Sequence, residues 1–251
     1  MDRSRFRIGS AVALAFTLSA LALPARSAAQ QHDFLFRTPR VSLGVRGGYA
    51  LPTVSSDIFD FTRDQLTVSR SDFNAAAWGL ELAVRASDRV DIAFDLGYAR
   101  SNTRSEFRDY VDNNDLPIEQ TTEFRRVPFT VNAKVYLRDR GRSVGRFAWI
   151  PYRWTPFVGG GVGTMWYRFE QNGDWIDFNT MEVFPDTWIS DGRAPALDVF
   201  GGTDMSLGPS FFVTFEGRYT WAKADMSQDF VDFNKVDLSG FQATAGISVR
   251  F

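Results

Sequence analysis

The last fourteen residues, Leu238 to Phe251, read LSGFQATAGISVRF and constrain the fold more than any other stretch. Counting back in twos gives Phe251, Val249, Ile247, Ala245, Ala243 and Phe241, all apolar. Between them lie Arg250, Ser248, Gly246, Thr244, Gln242 and Gly240, all polar or glycine. Side chains alternate across a strand, so this is a strand with one apolar and one polar face. It must lie between two unlike surroundings.

The same alternation recurs along the chain. Val41, Leu43, Val45, Gly47 and Tyr49 form a first strand, and Ala76, Trp78, Leu80, Leu82 and Val84 a second. Val90, Ile92, Phe94, Leu96 and Tyr98 form a third, joined to the second through Ser87-Asp88-Arg89 as a hairpin. Val127 to Leu137 is the fourth, where Pro128 has no amide proton and predicts a bulge or weakened pairing. Thr155 to Phe169, rich in glycine, is the fifth, with Val158, Val162 and Trp166 assigned to its apolar side. Leu197 to Leu207 is the sixth and Phe211 to Trp221 the seventh, separated by Gly208-Pro209-Ser210. The terminal stretch is the eighth. Long connections follow strands one, three, five and seven, and short ones follow two and six. The sixteen residues of Arg138 to Arg153, with five arginines, break that alternation.

The N-terminus stands apart. Arg3, Arg5 and Arg7 precede the apolar run Ala11 to Leu23, and Ser27-Ala28-Ala29 offers small residues for signal-peptidase cleavage. Residues 1–29 read as a secretory signal cleaved near Ala29, 30–40 as a periplasmic leader and 41–251 as the folded domain. The full chain carries 28 basic and 30 acidic residues; without the signal, 24 and 29 remain, net −5. That balance argues against nucleic acid as a partner. No cysteine is present, which removes disulfides and thiolate metal sites. Beyond the signal no apolar run reaches the ~18 residues of a membrane helix. An exported chain of this kind can cross a membrane only as a closed barrel.

The strands from Val41 to Phe251 resemble the small eight-stranded bacterial outer-membrane barrels, the OmpA-type, OmpX-like and OmpW-like group. The stretches that carry the likeness are VPFTVNAKVYL at 127–137, TPFVGGGVG at 155–163, FEGRYTW at 215–221 and the terminal GFQATAGISVRF. The resemblance implies an all-β, eight-stranded antiparallel up-and-down transmembrane β-barrel, with short turns in the periplasm and long loops outside. It implies outer-membrane lipid as surroundings, Phe251 as an assembly signal, and the barrel assembly machinery as a partner through the last strand. The peptidoglycan-binding domain that follows some such barrels is not expected after Phe251. A lipocalin-like barrel has the same strand pattern with the apolar face inward, so alternation alone leaves the facing open. The signal, the terminal aromatic and the acidic loops favour the polar face inside.

With that facing, Arg46, Glu81, Arg85, Asp91, Asp95, Lys134, Asp198, Asp204, Glu216, Arg218 and Arg250 point into the lumen. An eight-stranded barrel is only wide enough for side chains to fill it, so these predict a packed network in which each charge has a partner. Tyr49, Trp78, Tyr98, Trp166, Tyr219, Trp221 and Phe241 end the apolar faces on the loop side, and predict an interfacial aromatic belt at one height.

No chemistry stands out. His32, the one histidine, lies in the leader, away from the rim where barrel enzymes place theirs. Asp112-Asn113-Asn114-Asp115 lacks the glycine and distal glutamate of a calcium loop. No catalytic residue, cofactor or metal site is expected. The four loops, taken as 52–73, 101–121, 171–193 and 223–237, hold 18 acidic and 7 basic residues. Trp175, Phe178, Phe184 and Trp188 in the third suggest contact with a partner or with lipid, and the arginines of 138–153 suggest contact with inner-leaflet headgroups. The expected function is a non-enzymatic outer-membrane barrel with a plugged interior, and loops for surface-structural or binding roles. The alternative is a conduit for small apolar solutes, with a lateral opening near Pro128 or the glycine-rich strand.

Overall fold

The computed structural model describes residues 34–112, 115–145, 147–177, 180 and 182–251; the signal segment and His32 lie outside them. Eight long strands run up and down: β1 Val41–Pro52, β2 Ala75–Arg85, β3 Val90–Val111, β4 Pro117–Tyr136, β5 Trp154–Ile176, β6 Val183–Ser206, β7 Phe211–Ala224 and β8 Gly240–Arg250. Each pairs antiparallel with its neighbours in sequence, and β8 pairs with β1, which closes the ring. Among the described residues the barrel sheet has no open edge.

The registers fix the barrel's shape. Starting at Gly192 on β6, the directly opposed partners are Tyr167, Arg126, Ala99, Ala77, Gly48, Thr244, Glu216 and finally Gly202. One circuit therefore returns to β6 ten residues further along, a shear of ten for eight strands. With ~3.3 Å per residue and ~4.8 Å between strands, this sets a tilt of about 40° and a radius of about 8 Å. A ring that narrow is filled by its own side chains.

β3 to β6 are far longer than the alternation near the turns suggested. The segments read as loops at 101–121 and 171–193 are mostly strand, continuing the β3–β4 and β5–β6 pairs to tips near 112–116 and 177–182. The reason is visible on β4. Phe129, Val131 and Val135 are exposed on the outside, while Thr130, Asn132 and Lys134 are buried inside. Beyond Val127 the polarity exchanges: Ile118 and Phe124 are buried inside, and Glu119, Glu123 and Arg125 lie outside. The strand and its register to β5 are continuous. Only the surroundings change.

The connection between β1 and β2 is also ordered. Helix α1, Asp57–Gln65, places Asp57 and Asp60 in its first turn and Arg63 in its last, as the helix dipole favours. Its buried side, Ile58, Phe59 and Thr62, closes the loop end of the barrel. Phe59 packs edge-to-face on Phe73, Phe124 and Phe169, with ring centroids 5.0, 5.3 and 5.7 Å away. Phe230, from the connection before β8, joins the same cluster through Phe169. The upper half of the molecule thus has an ordinary apolar core.

At the other end, the arginine-rich connection folds into a hairpin, Gly141–Val144 paired with Ala148–Pro151. Trp149 is buried and exchanges two backbone hydrogen bonds with Leu35 of the leader, 2.9 and 2.8 Å.

Pro128 makes no bulge, but the pairing opposite it is weakened, the other outcome its missing amide proton predicts. Leu96 opposes Phe129 and Ala99 opposes Arg126, so the β3–β4 register is the same on both sides of the unpaired Gly97 and Tyr98. On the other side β4 and β5 pair without a break from Gln120–Gly173 to Tyr136–Phe157, and no lateral opening forms along the glycine-rich strand. The glycines there serve the lumen instead. A Cβ on Gly159 would meet the Phe200 ring at 2.3 Å, and one on Gly161 would meet Asn132 Oδ1 at 2.0 Å.

Candidate functional site

The site is the lumen together with the outer wall around it. Because inward residues recur every second position, the ring brings charges from seven of its eight strands toward one axis, β5 supplying glycines and uncharged side chains instead. At the centre Arg218 of β7 donates from Nε to Glu216 Oε1 at 2.9 Å, and its other nitrogens reach Asp198 and, at 3.4 Å, Asp95. Arg46 of β1 pairs with Asp95, with Glu81 at 3.6 Å and with Glu216 at 3.5 Å. Gly79 leaves room for it, since a Cβ there would lie 2.8 Å from Arg46 Nε. Thr130 donates to Asp198 at 3.1 Å and receives a bond from Asn132 at 3.0 Å.

One layer toward the turns, Lys134 is 1 % exposed and lies 3.5 Å from Glu81 and 3.6 Å from Asp204, with Nζ 3.9 Å from the centroid of the Phe157 ring. Tyr136 and Thr214 donate to Asp204 at 3.0 and 2.8 Å. Burying these charges is tolerable only because each carboxylate meets cations or hydroxyls in the interior.

The structure places all eleven lumen candidates on the inward face, but three are not partnered as a closed set. Arg250 has no carboxylate within 4 Å among the described residues; it donates to Ser206 at 2.8 Å and stacks over Phe212 and Trp149. Arg85 turns to Asp88 in the exposed turn, 2.7 Å away. Asp91 takes its partner from outside the set: Arg140 Nη1 donates to both its oxygens at 2.6 and 2.7 Å. Arg140 was expected at the inner leaflet and is instead a lumen residue. Its stretch shows no strand alternation, so the sequence carried no signal for this. Arg126 is a further lumen cation beyond the eleven expected. It is buried above the network and donates to the Leu238 carbonyl at 3.1 Å.

The lumen has little free space. The cavity at the turn end, among Arg85, Asp91, Tyr136, Arg140, Trp149 and Arg250, is about 30 Å³. A second, beside Arg126, Met165 and Gly240, has the same size. Each has room for about two water molecules and for no solute. Among the described residues no group of three or more His, Asp and Glu gathers as metal ligands.

The outer wall is apolar between the turns and the aromatic residues. Leu43, Val45, Leu80, Leu82, Phe94, Leu96, Val158, Val162, Leu197, Val199 and Ile247 all present their side chains to the surroundings. A lipocalin-like facing is thereby excluded. The chain has the build of a small membrane-spanning barrel.

No protein-family model and no curated protein matches the sequence. Among solved structures, Neisserial surface protein A is similar over 84 % of this chain and 97 % of its own, at 11 % identity and a TM-score of 0.48. The outer membrane protein OprG from Pseudomonas aeruginosa covers 86 % and 99 %, at 14 % identity and a TM-score of 0.45. Ail, the attachment invasion locus protein of Yersinia pestis, covers 85 % and 100 %, at 10 % identity and a TM-score of 0.41.

The seven belt aromatics all lie on the outer wall. Tyr49, Trp78, Tyr98, Trp166, Trp221 and Phe241 are exposed and Tyr219 half-buried, its ring 4.7 Å from that of Trp221. Trp78 opposes Tyr98 directly, and Tyr219 opposes Phe241. They do not share one height. At a tilt of about 40° each residue climbs ~2.5 Å, and a level ring shifts by about 1.25 residues per strand, so the seven spread over a band about 9 Å deep with Trp166 uppermost. In a sheared barrel, position along a strand does not by itself give height.

Phe251 closes the ring through its backbone: its N–H donates to the Val41 carbonyl at 3.0 Å, and its carbonyl accepts from Arg40 and Val41 at 2.9 and 3.1 Å. Its ring is exposed on the outer wall. In the third connection Trp175 is buried and stacks on Trp188 at 3.8 Å, so it is a packing residue and not the exposed contact expected from sequence. Phe178 lies outside the described residues. Above the barrel, Asp237 accepts hydrogen bonds from Ser55 and from the Ser239 amide. Burial pushes this carboxyl up, but those bonds and Lys223 outweigh it and hold it below its usual range.

Proposed function

We propose that the protein is an integral outer-membrane β-barrel, exported with cleavage near Ala29, non-enzymatic and non-conducting. Its loop-end extension would serve surface-structural or binding roles outside the cell. The observation that carries this reading is the exchange of face polarity at the aromatic residues. Toward the turns the wall is apolar outside and charged inside; toward the loops it is charged outside, with an apolar core inside. One strand serving both arrangements needs lipid around one half and water around the other. Filling of the lumen by paired charges at the centre, the Phe59 cluster at one end and the Trp149 hairpin at the other disfavours the conduit alternative. The exposed closing residue Phe251 suits recognition by the assembly machinery.

The test is depth-resolved quenching. In vesicles with bromine at defined acyl positions, Trp78 and Trp221, each left as the sole tryptophan, are expected to be quenched most by shallow bromines. Trp175 is expected to escape quenching altogether. Equal quenching of all three, or of none, overturns the membrane placement.

A further inference from the structure

Immediately above the aromatic band, the outer wall carries an arc of cations that neither the lumen nor the loops explain. Arg100 on β3, Arg125 on β4 and Arg168 on β5 are directly opposed to one another in register. Arg193 on β6 opposes Trp166, and Lys223 on β7 lies two residues beyond Trp221. Allowing for the tilt, the five sit within about 6 Å of one height, on five adjacent strands. Like charges directly opposed across strands repel, so chain stability gives no reason for this arrangement.

The neighbouring acids only partly answer it. Glu123 holds Arg100 at 2.6 Å, Glu170 holds Arg168 at 2.9 Å, and Asp191 stands 3.9 Å from Arg168. Arg125, between two other arginines, has no carboxylate within 4 Å among the described residues, nor have Arg193 and Lys223, although Lys223 stands opposite Asp237 and acts on it at longer range. Arg193 and Lys223 are exposed and Arg125 half-buried. At the same height on the other side stand Pro52 of β1, Asn74 just before β2 and Ser239 just before β8, none of them charged, so the arc is one-sided.

We propose that this arc binds the phosphate groups of an anionic outer-leaflet glycolipid whose acyl chains lie on the apolar wall below. The inference rests on the membrane reading above, with the loop end facing out. Guanidinium groups bridge phosphate oxygens in two-pronged fashion, and a phosphate between opposed arginines turns their repulsion into attraction. The aromatic band fixes the height at which such a headgroup meets the protein.

The full chain is reconstituted in phosphatidylcholine nanodiscs containing a small fraction of bisphosphorylated lipid A, or of the same lipid dephosphorylated, and the lipid retained on gentle extraction is counted. Retention of the bisphosphorylated form is expected to fall about tenfold or more in the triple variant Arg125→Gln, Arg193→Gln, Lys223→Gln, each cation near the surface contributing about fivefold. Removing three cations at the turn end, Arg89→Gln, Arg142→Gln and Arg153→Gln, is expected to leave it unchanged. Inorganic pyrophosphate is expected not to displace the lipid. If the triple variant fails to fold, Arg125→Gln alone is read, with a loss of about fivefold expected. Equal retention of both lipids, no loss in the variants, or displacement by pyrophosphate overturns the inference while insertion leaves the membrane reading standing. Failure to insert into phosphatidylcholine overturns both.

Discussion

Arg140 lays its guanidinium on both carboxylate oxygens of Asp91, at 2.6 and 2.7 Å, and also donates to the Ser87 carbonyl at 2.9 Å. A residue from the longest turn thus ties that turn into the lumen and across the β2–β3 hairpin. The turn-end mouth is closed by chemistry from outside the strands.

Two charge pairs at different depths are expected to differ in worth. Arg218→Met leaves Asp95, Asp198 and Glu216 short of a cation at the centre, and is expected to cost ~3–5 kcal/mol. Arg140→Met acts at the partly wet mouth and is expected to cost less, ~1–3 kcal/mol. Urea titration of the heat-modifiable folded band measures both. A smaller loss for Arg218 than for Arg140 contradicts a packed central network.

Phe59→Ala removes a fully buried ring from the loop-end cluster, a loss of ~3–5 kcal/mol if that region unfolds with the rest. The charged layer and the aromatic wall lie outside the cluster. Protease added to intact cells is therefore expected to cut the variant in 53–74 and 225–239 while the barrel keeps its folded mobility. Cutting within 138–153 instead would invert the topology.

Asp237 gives a pH signature. Its folded pKa is depressed, so its stabilising effect is present above the unfolded carboxyl value of ~3.9 and is lost as pH falls through the folded value. The parent is expected to melt above Asp237→Asn at neutral pH, and the two melting temperatures to converge in acid. A constant gap across that range excludes the Ser55–Asp237–Ser239 clasp as its origin.

The closing residue separates assembly from stability. Phe251→Ala keeps the three backbone bonds to Arg40 and Val41 and removes only an exposed ring. Its urea midpoint is expected to stay within ~1 kcal/mol of the parent, as for other surface changes, while the folded yield in cells drops. An unchanged yield makes the terminal aromatic incidental.

The lower barrel was legible because lipid and lumen impose opposite demands on alternate residues over the whole of β2, β7 and β8. The upper half was not. At Val127 the apolar set passes from odd to even positions, which reads as the end of a strand although the register runs on to Ile118. The same exchange occurs on β5 between Trp166 and Phe169, and it hid the apolar core around Phe59. Arg140 and Trp149 were hidden for another reason: their roles are set by tertiary packing under the mouth, where no periodicity speaks. The arginines at 100, 125 and 168 stand in plain view, but only the pairing of strands sets them side by side.

The central claim, a lipid-embedded barrel with a filled lumen, is tested most directly by single-channel recording. Purified full-length protein inserted in a planar phosphatidylcholine bilayer is expected to show no steady conductance, and Arg218→Met and Phe59→Ala singly are expected to open none. A stable, ohmic conductance in the parent that shifts when Arg218 is replaced would contradict it, because ions would then be passing the layer formed by Arg46, Asp95, Asp198 and Glu216.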